Sequence, residues 1–168
     1  LFRDDAGKPL RMIGVCADVT ARKQADEALR ESEERFRMLA DSSPVLIWLN
    51  GIEGCEFVNR AYLDYLGVEP ADVKGFNWAE FVHPEDRDEY ANAYTAAFTK
   101  RENFIAQFRF RRFDGEYRWM KSVSLPRFSG GGDFQGYVGC TLDINDIKEA
   151  EERLREDDRR KDEFLALL

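Results

Sequence analysis

Apolar and polar positions along the chain fall into two periods. Residues 104–113 alternate, with Ala106, Phe108 and Phe110 on one side and Gln107, Arg109 and Arg111 on the other. That is the period of a half-buried strand. Asp114-Gly115 follows as a hairpin turn, residues 117–128 pair back, the Ser129–Asp133 glycine run is a loop, and residues 134–144 form a last strand. Near the start, residues 44–50 and 54–59 read as two short strands joined by a hairpin connection through Gly51 and Gly54. Between the two strand groups lie short helical pieces at residues 61–66, 72–75 and 78–82, with Pro70 suited to a first helical turn. A longer helix follows from Pro84 to Lys100 and carries Tyr90, Ala93, Tyr94, Ala97 and Phe98 along one face. The order ββ, four helices, βββ predicts an α+β domain, a five-stranded antiparallel sheet with helices on one face.

Narrower stripes flank this domain. Ala25, Leu29, Ser32, Phe36 and Leu39 recur at steps of four and three, the seam of a coiled coil. Ile147, Ala150, Leu154, Phe164 and Leu168 keep the same register, interrupted by Asp157 and Lys161. A charged run of this kind also suits a solvated helix face, and two copies in one register favour the dimeric coiled coil. The copies are related: shifting the chain by 125 residues lays residues 7–31 over 132–156 without a gap, with nine of 25 positions identical. Such a long period means tandem domains, not a solenoid. Residues 1–20 are therefore read as the last strands of a preceding domain, 21–40 as a linker helix, 41–145 as a complete domain, and 146–168 as its outgoing helix. Thr20 and Asn145 are the expected N-caps of the two helices.

Composition narrows the classes. Of 168 residues, 43% are hydrophobic and 13% aromatic, which excludes global disorder. A net charge of −8 argues against a nucleic-acid surface, which needs clustered excess cations. The charge is concentrated in the flanking helices. Residues 104–128 are locally basic, with Arg109, Arg111, Arg112, Arg118, Lys121 and Arg127 against Asp114 and Glu116; protection of a strand edge accounts for this better than an anion site. The longest apolar run, residues 45–49, is far short of the roughly 20 residues needed to span a bilayer. The N-terminus lacks the basic and apolar regions of a signal peptide and does not begin with Met, so the chain is read as a cytoplasmic piece of a longer protein. Cys16, Cys55 and Cys140 have no disulfide or zinc spacing and are expected as small core residues. No phosphate loop, catalytic triad, paired carboxylates or metal cluster can be recognised.

Four stretches in this order resemble the PAS family: Phe57–Gly67, Phe81–Arg87, Arg111–Trp119 and Gly139–Asn145. The resemblance covers roughly residues 33–146, and residues 1–20 resemble the end of another such domain. The last ten residues, 159–168, resemble the lead-in to the dimerisation helix of a sensor histidine kinase, ahead of its phospho-accepting His. Together these imply the PAS fold and a non-catalytic signal-input segment of a cytoplasmic, multi-PAS two-component kinase. The implied partners are a second copy joined through the flanking helices, the kinase domain in cis and a small-molecule ligand.

Site expectations follow from that frame. A ligand pocket would lie between sheet and helices. Trp48, Phe57, Tyr62, Trp78, Tyr94, Phe108 and Trp119 are its candidate lining, and the same aromatic set also suits a filled core. The single His, His83, precedes Pro84 and is expected to make local hydrogen bonds; residues 88–100 offer no His to a haem, and Arg60 and Ala61 follow Asn59 where a flavin photoadduct would need a Cys. Non-covalent flavin or haem stays open, as does a ligand-free dimerisation spacer, for which an undersized cavity is the discriminating feature. Asp143, Ile144 and Asn145 are the expected signal-coupling residues, Asp143 because a carboxylate at a strand-to-helix junction can exchange partners; its bland alternative is capping or pairing with a nearby Arg.

Overall fold

The computed structural model describes residues 2–3, 5–6, 8–11 and 18–166. Cys16, Leu168 and residues 12–17 of the stretch read as the last strands of a preceding domain lie outside them. The chain divides into two units, residues 1–37 and 38–168. In the first, β1 (Phe2–Arg3) pairs antiparallel with β2 (Pro9–Arg11), and helix α1 (Thr20–Asp41) begins there and ends within the second unit.

The second unit runs β3 (Leu46–Gly51), β4 (Gly54–Val58), α2 (Arg60–Leu66), two 3₁₀ turns (Pro70–Val73 and Asn77–Phe81), α3 (Arg87–Lys100), β5 (Phe104–Arg111), β6 (Tyr117–Phe128), β7 (Phe134–Asp143) and α4 (Asn145–Ala166). The five strands form one antiparallel sheet in the order β4-β3-β7-β6-β5. The last strand thus sits in the centre, hydrogen-bonded on both sides, and leads directly into α4.

Alternation decides which face is covered. Leu46, Trp48 and Asn50 on β3, Phe104, Phe108 and Phe110 on β5, Met120, Ser122 and Ser124 on β6, and Tyr137 and Thr141 on β7 are buried. Tyr62, Leu66, Val73, Phe81, Tyr90 and Tyr94 from the helical segment complete this core. Rings meet edge to face, as their quadrupoles prefer: Tyr90 stands 4.5 Å from Phe108 and 5.2 Å from Phe104. The intervening residues Ile105, Leu125, Val138 and Leu142 are exposed on the other face.

Two local details depart from the sequence reading. The long helix begins at Arg87, not Pro84: residues 84–86 form a turn closed by the Asp86 N–H on His83 O at 2.9 Å, and the Asp86 carboxylate, bound by the Arg109 backbone N–H (2.8 Å) and guanidinium, does not cap the helix. The side chains of Thr20 and Asn145 are not the N-caps either. Asp18 Oδ1 accepts the Thr20 N–H at 2.9 Å, and Asp143 Oδ1 accepts the Asn145 N–H at 2.9 Å. The carboxylate two residues earlier closes the turn at both helix starts, because the Asn145 amide is engaged with the sheet and with Glu149.

Candidate functional site

The helix-facing side of the sheet is not purely apolar. Trp48 Nε1 donates to Thr141 Oγ1 at 3.1 Å, Thr141 and Ser122 share a hydroxyl contact at 3.3 Å, and Asn50 Nδ2 donates to Tyr94 Oη at 3.3 Å. The Trp48 indole lies across β7 where that strand has Gly139; a Cβ there would come within 2.6 Å of Trp48 Cζ2. Beside this polar belt is a cavity of about 20 Å³ lined by Trp48, Asn50, Cys55, Val58, Tyr62, Trp78, Tyr90, Phe108, Phe110 and Thr141. That is room for about one water molecule, against roughly 300–1,000 Å³ for an ordinary small-molecule site.

Of the seven nominated lining residues, the fold brings Trp48, Tyr62, Trp78 and Phe108 together. Tyr94 is buried and stacks edge-on with Trp78 at 6.2 Å, but stands behind the cavity wall. Phe57 and Trp119 are corrections. Phe57 pairs with Leu49, whereas the inward residues of that ladder are Trp48 and Val58, so its side chain is on the open face. Trp119 pairs with Arg109, one step out of phase with the inward Phe108–Met120 pair. Its ring has the Arg109 guanidinium carbon at 5.7 Å and Lys148 Nζ at 5.5 Å. Cys55, expected as a small core residue, is on the wall as well, and Asn50, Val58, Tyr90, Phe110 and Thr141 were not nominated. The available signals were spacing: Phe110 shares a strand face with Phe108, Tyr90 a helix face with Tyr94, and Asn50 and Thr141 stand two residues from Trp48 and from Gly139.

Burial pushes the Cys55 thiol up to about 11, and the Tyr62 and Tyr90 hydroxyls above their usual values. At neutral pH the wall is therefore uncharged and Cys55 is no thiolate nucleophile. The Trp78 indole N–H, buried, has no hydrogen-bond partner among the described residues. His83 lies elsewhere, its Nδ1 accepting the Glu85 N–H at 3.3 Å and its ring edge-on to Tyr117 at 4.6 Å. A cavity of this size with no His on its wall does not fit flavin or haem.

The predicted coupling residues form a compact junction. Arg118 Nε donates to Asp143 Oδ2 at 2.6 Å, and its Nη2 reaches Asp146 at 3.2 Å. The Asp143 carboxylate holds the guanidinium above its usual pKa. Asn145 Oδ1 accepts the Trp119 N–H at 3.3 Å, and the Ile144 N–H donates to Trp119 O at 2.8 Å. The two residues of β6 that follow Tyr117 thus grip the end of β7 and the first turn of α4.

A family profile described as PAS fold matches residues 56–141. The chain belongs to the PAS fold family. It is 36% identical over 151 residues to the uncharacterized protein y4lL of Sinorhizobium fredii, covering 89% of this chain and 18% of that one. It is 30% identical over 172 residues to the peroxide stress-activated histidine kinase mak1 of Schizosaccharomyces pombe, covering 92% of this chain and 10% of the kinase. The PAS chain thus spans less than a fifth of the length of these relatives. A solved sensory box histidine kinase/response regulator from Burkholderia thailandensis superposes with a TM-score of 0.59 at 22% identity, covering 77% of this chain and 98% of that one, which is agreement in fold. No helix among the described residues is long and apolar enough to cross a membrane.

Proposed function

We propose that this chain is a sensory relay PAS segment of a two-component histidine kinase, passing a conformational signal from the core through β7 into α4 and on to a kinase domain in cis. The observation that carries the reading is the junction at Asp143-Ile144-Asn145, where the central strand, Arg118 and Trp119 all bear on the first turn of the outgoing helix. Kinase context is supported by the match to mak1 along 92% of this chain. The chain itself contributes no catalysis in this reading; phosphotransfer belongs to the downstream domain, which works on the cytoplasmic side where its nucleotide is.

A relay with a filled core is favoured over a flavin or haem receptor by the cavity of about 20 Å³. A small ligand would have to be near the size of water or displace wall side chains. The segment works as a homodimer, because Leu29, Phe36 and Leu39 on α1 and Ile147, Leu154 and Phe164 on α4 are each at least half exposed at coiled-coil spacing.

The test is autophosphorylation of the parent kinase. Asp143→Ala is expected to change its basal or stimulated level, and no change in either overturns coupling at this junction. Asp18→Ala, at the equivalent turn of the upstream repeat, is expected to uncouple signals from the preceding domain; no effect removes the reading of residues 1–20. Light scattering is expected to give two chains, reduced to one by Leu154→Glu.

A further inference from the structure

Asn59 is 0% exposed, and its carboxamide uses both ends in full. Oδ1 accepts the N–H groups of Ile47 (2.9 Å) and Tyr62 (3.2 Å); Nδ2 donates to the carbonyls of Ala40 (2.8 Å) and Val45 (2.9 Å). Next to it, the Arg60 N–H donates to Asp41 Oδ1 at 2.7 Å. Capping α2 needs only one of these, the bond from Tyr62. The bond to Ala40 takes up a carbonyl at the end of α1, where helices lack internal partners, and the others tie in β3 and its approach. One buried side chain therefore joins the last turn of α1 to β3 and to α2. Two of those connections lead to the cavity: Tyr62 is part of its wall, and Trp48 directly follows Ile47.

The sequence adds direction. α1 repeats α4 at the 125-residue offset, and both begin at the same Asp-closed turn. α4 leaves its domain at the end of β7, so α1 has the place of an outgoing helix with respect to whatever precedes it. We infer that Asn59 is the input coupling residue of this domain, where the state of an upstream unit, carried by α1, is read into the cavity wall through Ile47 and Tyr62. This rests on the reading of residues 1–20 as the end of a preceding repeat. The node has no free donor or acceptor with which to absorb a displacement of the α1 end, so its partners must move together or break.

The test is amide hydrogen exchange on the full 168-residue chain, with 5-fluorotryptophan signals as a second readout. Met38→Gly with Leu39→Gly breaks α1 just before the clasp at two exposed positions. Exchange at Ile47 and Tyr62 is expected to accelerate roughly tenfold, with the Trp48 and Trp78 signals shifting and that of Trp119 unchanged. In an Asn59→Asp background, which lacks both donors, the same break is expected to add nothing; that non-additivity separates coupling from a merely structural role. Should Asn59→Asp fail to fold, Asp41→Ala, at an exposed residue, is expected to reduce the response by removing the Arg60 bond. Unchanged exchange after the break, or an equal acceleration in either background, overturns the clasp. Failure of the upstream reading shows separately, as an Asp18→Ala kinase with unaltered signalling.

Discussion

The two ends of this PAS domain are held by opposite chemistry. At the entry, the last turn of α1 and the approach to β3 are held mainly by neutral hydrogen bonds from an amide that is 0% exposed, with the exposed Asp41 carboxylate taking the Arg60 N–H beside it. At the exit, charges nearer the surface join the two Trp119 backbone bonds: Arg118 is 19% exposed, Asp143 34% and Asp146 91%. A buried carboxamide with four partners is costly to disturb, because each group left unpaired pays its desolvation. An ion pair open to water contributes little to stability and changes partners readily. The entry resists displacement and the exit exchanges partners, as the proposed relay from α1 to α4 requires.

The sharpest way to break this contrast is Asn59→Ala. It removes the side-chain partner of the Ile47 N–H and the Val45 carbonyl, and leaves the Tyr62 N–H and the Ala40 carbonyl with only their backbone bonds to Asn59 O and the Ser43 N–H, so it is expected to cost about 2–3 kcal/mol in urea unfolding; a loss below about 1 kcal/mol would mean that the entry is no more rigid than the exit.

Gly139→Val probes the core between the ends. It forces a side chain against Trp48 and Ser124 and is expected to cost about 1–3 kcal/mol and to alter Trp48 fluorescence.

Acidification probes another charged contact. Hydrogen bonds from the Arg109 guanidinium hold the Asp86 carboxyl below its ordinary 3.8, with burial opposing. A carboxyl with a lowered folded-state pKa stabilises above its unfolded value and loses that contribution as pH falls through the folded one. Thermal midpoints should therefore drop below pH 3.8, and Asp86→Asn should flatten that drop. Asn59 has no titrating group, so the bonds it makes should not contribute to the drop.

The smallest global effect is expected at the exit. Asp143→Ala should change overall stability by under about 1 kcal/mol, since no residue of α4 is buried, while amide exchange in the first turn of α4 accelerates. About 1 M salt, with a screening length near 3 Å, should mimic it at the exit and leave exchange at Ile47 and Tyr62 unaltered.

Much of the fold was legible in one dimension. Alternation in residues 104–111 identified the buried face of β5, and Asp114-Gly115 its hairpin. The family followed from local stretches in order. The site was legible only in part: Trp48, Tyr62, Trp78 and Phe108 reached the cavity, whereas Phe57 and Trp119 did not. An aromatic residue in a strand does not announce its face; that depends on register with the neighbouring strand, and a shift of one residue reverses every side chain. The helix caps were misplaced by two residues because an Asp that closes a turn and an Asn that could cap look alike until one of them is occupied by Trp119.

By itself the sequence determined the elements, their order, the 125-residue repeat and the concentration of charge in the flanking helices, all of which are local patterns or self-comparison. Tertiary structure alone decided the volume of the cavity, the fourfold use of Asn59 and the position of Arg118 over the end of β7. A cavity is the small difference between the space that elements enclose and the side chains that fill it. A hydrogen-bond node between residues 40, 45, 47, 59 and 62 exists only once the end of α1, the start of β3 and the first turn of α2 have met.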